Sequence, residues 1–502
     1  MTINRLSAAL LALALGTVNA LATDGVWTTN ASANWSATAN WSGGIVADGV
    51  GATGTFQQAL SSSNKNITLD SNRTLGTWNL GHSGRSLNFV PSGGSVLTLD
   101  NTGSANVQIN VANGGQNIAA GTMPIELMDS VDIVSVLVNG KSLALGTITV
   151  KSGASNSGNL TITNNSVGGG SPTTVFGGAI SDGAGTISLE QKTAGFSNLG
   201  VANTFSGSTT ASGGILRLDN ALALQNSPLN TTGSATGNAT NGLQINTGVT
   251  ALTLGGLTGN KNFAATGGVF TSAVANGNYN LITALTLNPG TGKSYSYSGA
   301  IANGAANMTL TKTGAGTQIL TGTNLYTGAT NVNAGTLKLG AGGSLDALTS
   351  VSIAAGATLD LTELTNSATY TWNTSSLSAK GTATAATITG TALGTIDMGI
   401  KPISLTWAGA SSGTDNTHPC LTVTGANLSL GGNQVTVVVP GTALDAGVYT
   451  LVSAASISGG STVNAAASYI GGSAYGCAVC KSQGHRGPFA ERSEFGRAGR
   501  NG

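Results

Sequence analysis

The chain has 502 residues, 76 of them Gly, with 40% hydrophobic, 7% charged and 5% aromatic residues, a balance that excludes the composition of a typical mixed globular enzyme and that of a highly charged disordered chain. The net charge of +1 leaves no electrostatic footprint for nucleic acid or for an anionic membrane surface. That excess lies in the tail: residues 481 to 502 hold five of the 19 Lys and Arg and two of the 18 Asp and Glu, which leaves 14 − 16 = −2 for residues 1 to 480.

In chain order, residues 1–22 read as a secretory signal peptide. Arg5 precedes an apolar run from Leu6 to Leu15, and Ala20-Leu21-Ala22 forms a small-x-small cleavage site that leaves Thr23 first in the mature chain. The run is too short to span a bilayer, and no later segment reaches that apolar length. The expected location is extracellular, at the cell surface or periplasmic. Cys420, Cys477 and Cys480 are the only cysteines, so no disulfide framework accompanies export.

Residues 23–95 hold Trp27, Trp35 and Trp41, half of the six tryptophans. They are expected to plug the open end of a repeat body as a cap with its first coils; an exposed platform for sugar rings is the competing expectation. Residues 96–400 carry short alternating runs, among them Leu97-Thr98-Leu99, Ile148-Thr149-Val150, Leu160-Thr161-Ile162 and Thr358-Leu359-Asp360-Leu361. Period-two alternation puts apolar side chains on one face of a strand.

Within this body, residues 176–218 align without a gap on residues 297–339, an offset of 297 − 176 = 121, with 15 identities in 43 positions. The matched structural positions are Gly195, Leu199, Asn203, Phe205, Gly207, Gly214, Leu216 and Leu218 in the first copy, and Gly316, Leu320, Asn324, Tyr326, Gly328, Gly335, Leu337 and Leu339 in the second. A turn-strand unit of this size cannot bury its apolar face alone, so units must stack. The expectation is an all-β parallel β-helix with short coils and Gly-rich turns. Asn203 and Asn324 read as turn or ladder residues.

The second copy, from Lys312 through Gly314-Ala315-Gly316-Thr317, Leu320, Gly322, Asn324, Tyr326, Gly328, Thr330 and Val332 to Gly335-Thr336-Leu337, resembles the autotransporter-associated β-strand repeat. In the first copy Thr193 stands where that pattern has its first Gly, and Gly200-Val201 disturb the next step. The resemblance implies a secreted, passenger-type, right-handed β-helix with a structural or adhesive role. A true autotransporter ends in a membrane β-barrel, for which residues 341 to 480 show no pattern; residues 401–480 read as C-terminal strands or a cap. Residues 481–502 contain no Val, Ile, Leu or Thr and read as an out-of-frame or disordered tail. There Arg486, Arg492, Arg497 and Arg500 are expected to be solvated.

Candidate chemistry is sparse, and neither metal nor cofactor is expected. Cys477, Cys480 and His485 supply three zinc ligands where a structural site needs four. His418-Pro-Cys420 has no evident catalytic partner. Glu126, Asp129 and Asp132 are spaced by three, which separates them on a strand face, and Asp360 with Glu363 forms a thin acidic pair. The expected function is a non-catalytic exported structural or adhesive surface protein whose partners are extracellular polysaccharide or other cell-surface components. A polysaccharide-binding or lyase-type β-helix is the alternative, and three or more carboxylates with a basic residue on the same coils would favour it.

Overall fold

The computed structural model describes residues 22–459, apart from residues 59–62, 82–84, 104, 113–116, 138–139, 168–172, 365–368, 391–393, 409–414, 416 and 441–448. The signal peptide, the pair Cys477 and Cys480 with His485, and the basic tail lie outside the described residues.

The chain winds as a parallel β-helix. One 17-stranded sheet runs along it, from Gly25–Val26 through Thr186–Gln191 and Thr309–Lys312 to Val435–Val438. Its strands join in chain order, each coil parallel to the one before. Val107, Val131 and Ile162 lie side by side, as do Leu310, Thr330 and Val351. The alternating runs seen in the sequence form these strands: Leu160 and Ile162 point inward with Thr161 outside, and Leu310 is buried between Thr309 and Thr311. Each inward Leu or Ile contributes about 1.5–3 kcal/mol on burial, and the column repeats in every coil.

The other faces change along the axis. A nine-stranded sheet forms the second face from Ala33–Asn34 to Gly242–Ile245, and a seven-stranded sheet takes it up from Ser294–Tyr297 to Val452–Ser453. Phe263, Phe270 and Tyr279 fill the junction. Phe270 stacks on Tyr279 at 4.3 Å between ring centroids, and Phe263 meets both edge-on at 5.0 and 5.3 Å. Gln318, fully buried, closes the gap by exchanging two 2.9 Å bonds with the backbone N–H and C=O of Leu257.

A third face exists only towards the two ends. Five strands form it from Arg73–Leu75 to Ile180–Gly183, and four from Thr369–Thr371 to Ile457–Ser458. With a third strand a coil is long: Val131 lies beside Ile162, 162 − 131 = 31 residues on. Between those regions coils shorten. Leu189 lies beside Thr209 and Leu310 beside Thr330, 209 − 189 = 330 − 310 = 20 residues on. Both sequence repeats fall in this short-coil zone. Strands beyond residue 400, such as Ile403–Trp407 and Leu421–Thr424, continue the long sheet and the second face in register.

At the start of the shaft the pairing changes direction, with antiparallel bridges joining Thr23 to Asp48 and Trp27 to Trp41. Trp27, Trp35 and Trp41 are at most 3% exposed, so none presents a face to a sugar ring. Trp35 lies 4.7 Å from the Phe56 ring, and Phe56 lies 5.1 Å from Phe89. Each indole N–H of the three donates to a backbone carbonyl: Thr29, Ala47 and Trp35 respectively.

Candidate functional site: repeat corners and charged clusters

A coil of 20 residues has too little chain for a third strand, and the matched asparagines close the gap. Asn203 Oδ1 accepts from the N–H of Ile180, and its Nδ2 donates to Val201 and Ala223 carbonyls at 3.2 and 2.9 Å. Asn324 Oδ1 accepts from Ile301, and its Nδ2 donates to Gly322 and Ser344 at 3.1 and 3.0 Å. One side chain thus ties its own coil to the coil before and the coil after. Beneath the corner Phe205 and Tyr326 are buried. Tyr326 Oη bonds Thr330 Oγ1 at 2.7 Å; Phe205 has no hydroxyl, and the equivalent Thr209 turns to Ser227 at 2.7 Å.

The leucines of the repeat stack in register, Leu199 beside Leu218 and Leu320 beside Leu339, with Leu216 and Leu337 buried on the same strands. Gly195, Gly207, Gly316 and Gly328 stand where coils touch: a Cβ on Gly207 would fall 2.2 Å from Ile187 O, and one on Gly328 2.3 Å from Asn307 O. Gly214 and Gly335 adopt φ of +61° and +60°, which only Gly takes without strain. The turn before them is held by a buried side chain that differs between copies. Lys312 Nζ donates to the carbonyls of Thr313, Gly314 and Ala334 at 2.6, 3.0 and 3.0 Å. Gln191 in the first copy donates to Thr193 and Gly195 at 2.9 and 3.1 Å. Burial lowers the Lys312 ammonium to about 8, because a low-dielectric surrounding disfavours the charged form.

The acidic residues singled out in the sequence fall apart or into ion pairs. Asp132 lies on the long sheet and accepts from Asn106, Gln108 and Asn165. Glu126 lies on the five-stranded sheet and pairs with Lys151 at 2.7 Å. Asp129, on the corner between them, is 3% exposed and accepts the N–H of Asn101. Asp100 joins this group: burial first, then the charge and hydrogen bond of Asp129, raise its carboxyl above the usual range, with Lys151 acting against them. Asp360 and Glu363 both contact Lys338, at 3.5 and 3.0 Å.

His418 has a partner that the sequence did not disclose. Asp415 lies 2.9 Å from its Nδ1, and Thr417 Oγ1 reaches the same nitrogen at 2.9 Å. A hydroxyl relay needs carboxylate and hydroxyl on opposite ring nitrogens, so this trio lacks the arrangement of a triad. Cys420 is buried, and desolvation pushes its thiol up to about 12, far from the thiolate a nucleophile needs. Among the described residues no three His, Cys, Asp or Glu side chains are grouped to hold a metal ion. A small gap inside the shaft, between Leu99, Ile125, Leu127, Ile133, Leu145 and Ile148, is lined by apolar groups alone.

The passenger-associated-transport-repeat family model matches residues 182–218 and 310–339, the two Asn-cornered coil pairs described above. The chain therefore carries two copies of a repeat of autotransporter passenger regions, and is a secreted or surface protein of that kind. No curated protein and no solved structure matches the chain. Among the described residues no helix is long and apolar enough to cross a membrane.

Proposed function

We propose that the chain is a non-catalytic rod, exported to the cell surface or its surroundings, that serves adhesion or forms part of an envelope or matrix. The observation that carries this proposal is what the carboxylates do. Asp182 accepts from the N–H groups of Ile187 and Ser206, on its own and on the next coil. Its counterpart Asn303 accepts from Thr327, which matches Ser206. Asp70, Asp48 and Asp24 likewise take backbone N–H groups from neighbouring coils. These acids stitch coils together instead of converging on a groove.

A lyase-type reading has one observation in its favour: Asp100, Asp129 and Glu126 gather with Lys151 on neighbouring coils. Against it, Lys151 Nζ is already held by Glu126 and by Thr98 Oγ1 at 3.1 Å. One experiment separates the two: incubation of the purified protein with a polyuronate and calcium. The rod reading expects no product, with cell attachment reduced when the gene is deleted; sustained unsaturated product, lost in Lys151→Met, would establish the lyase instead.

A further inference from the structure

On the outer face of the long sheet, one register position carries a hydroxyl or amide in eight successive coils. The row starts at Thr253 and Thr286, continues through Thr311, Asn331, Ser352, Ser378 and Ser404, and ends at Thr436. Every member is partly exposed. Among the described residues, none of these side chains bonds to another protein group. Beside it a second outward row runs through Ala284, Thr309, Ser350 and Ser376, again without charge. Parallel strands stand about 4.7–4.9 Å apart, so the row is a line of unengaged hydrogen-bonding groups at a fixed short interval, parallel to the shaft.

The same sheet is different upstream. There the corresponding outward row reads Gln108, Asp132, Thr163, Glu190 and Thr210, with Asp132 and Glu190 contributing negative charge. The register shift between Leu224 and Pro228 separates the two stretches. We infer that the uncharged stretch from Thr253 to Thr436 is a docking surface for a neutral polysaccharide lying along the shaft. This deepens the rod reading and rests on it.

Charge selects the class of partner. An anionic polymer gains nothing from a row with no cation, and a basic one would favour the acidic upstream half. A linear neutral glycan presents hydroxyls at short regular intervals that both donate and accept, as Ser, Thr and Asn do. A second copy of the chain stacked face to face would instead enclose hydroxyls that the opposing row meets at its own fixed positions, leaving some unpaired at a cost for each.

The test uses the full-length protein and particles of insoluble neutral β-glucan, with polyuronate gel as the charged comparison. The triple variant Thr311→Val, Ser352→Ala, Ser378→Ala removes three neighbouring hydroxyls without touching the core, and Thr163→Val is the upstream control. Retention of the wild type on β-glucan but not on polyuronate, reduced at least about tenfold in the triple variant and unchanged in the control, is the expected result. Equal retention of the triple variant and wild type would overturn the ladder as the contact while leaving the rod reading intact. Absence of retention, with self-association by light scattering that the triple variant abolishes, would assign the face to a second copy and overturn the proposal.

Discussion

Asn203 and Asn324 perform the same three-coil stitch. Each reaches back 23 residues to an isoleucine N–H and forward 20 residues to a carbonyl. The equality of both separations shows that the repeat encodes a coil length as well as a strand pattern. Where Asn supplies the corner, the third strand is dispensable; where long coils return, strands of the third face return with them.

The corner is therefore expected to be worth more than an ordinary surface amide. Asn324→Ala leaves the Ile301 N–H and the Gly322 and Ser344 carbonyls without their partner, at about 1–3 kcal/mol for each buried group left unsatisfied. A loss of at least about 2 kcal/mol in urea unfolding is expected, and Asn203→Ala should match it. Asn333→Ala, at an exposed turn position, should stay within about 0.5 kcal/mol of wild type.

Two glycines with nearly the same backbone separate strain from crowding. Gly335 and Gly93 have φ of +60° and +63°. An added Cβ at Gly335 would meet Gly316 O at 2.4 Å, whereas at Gly93 it meets nothing within 4 Å. Ala at Gly93 is expected to cost only the left-handed penalty of about 1–2 kcal/mol. At Gly335 the coil above must also move, so the drop in unfolding free energy should be clearly larger. Equal losses would show that coil contact at this turn is not close.

Much of the shaft was legible because alternation and glycine spacing are local signals. Thr309-Leu310-Thr311 declares its dry face without help from other coils, and the offset of 121 exposes the paired copies. What each coil sits beside is not local. The equivalence of Gln191 and Lys312 becomes visible only when both are seen donating to turn carbonyls, since the two residues share length and donors but no chemical class. The polar ladder escaped because its members are separated by coils of unequal length: Thr286 to Thr311 is 25 residues, Ser404 to Thr436 is 32 (311 − 286, 436 − 404). Asp415 was missed as the partner of His418 because a loop, and no strand period, brings them together.

Cys420 gives a direct check on core packing. With its thiol buried and pushed up to about 12, it should resist alkylation by a maleimide at pH 8 in the folded protein and react within minutes in urea. Rapid labelling under native conditions would mean that the coil from Cys420 to Thr424 opens readily, and hydrogen exchange along Leu421–Thr424 would then be fast as well.

Lys312 makes stability depend on pH in a direction opposite to that of most salt-bridged lysines. Its folded value of about 8 lies below the ordinary 10.5, so between those limits the unfolded chain binds more protons than the folded one, and stability rises with pH. Below pH 8 both states are protonated and the cost of burying the ammonium is present in full. Above pH 9 the unfolded chain also ionises Cys420, whose folded thiol is held up to about 12, and that opposes the rise. The clean window is therefore pH 8 to 9, where a gain of roughly 1 kcal/mol is expected from one differential proton. Lys312→Gln, which installs the side chain used at Gln191, should remove this slope while keeping most of the turn bonds. Lys312→Met should also be flat but less stable at every pH, because the Thr313, Gly314 and Ala334 carbonyls lose their donor. A slope in Lys312→Gln equal to that of wild type would assign the differential proton to another group.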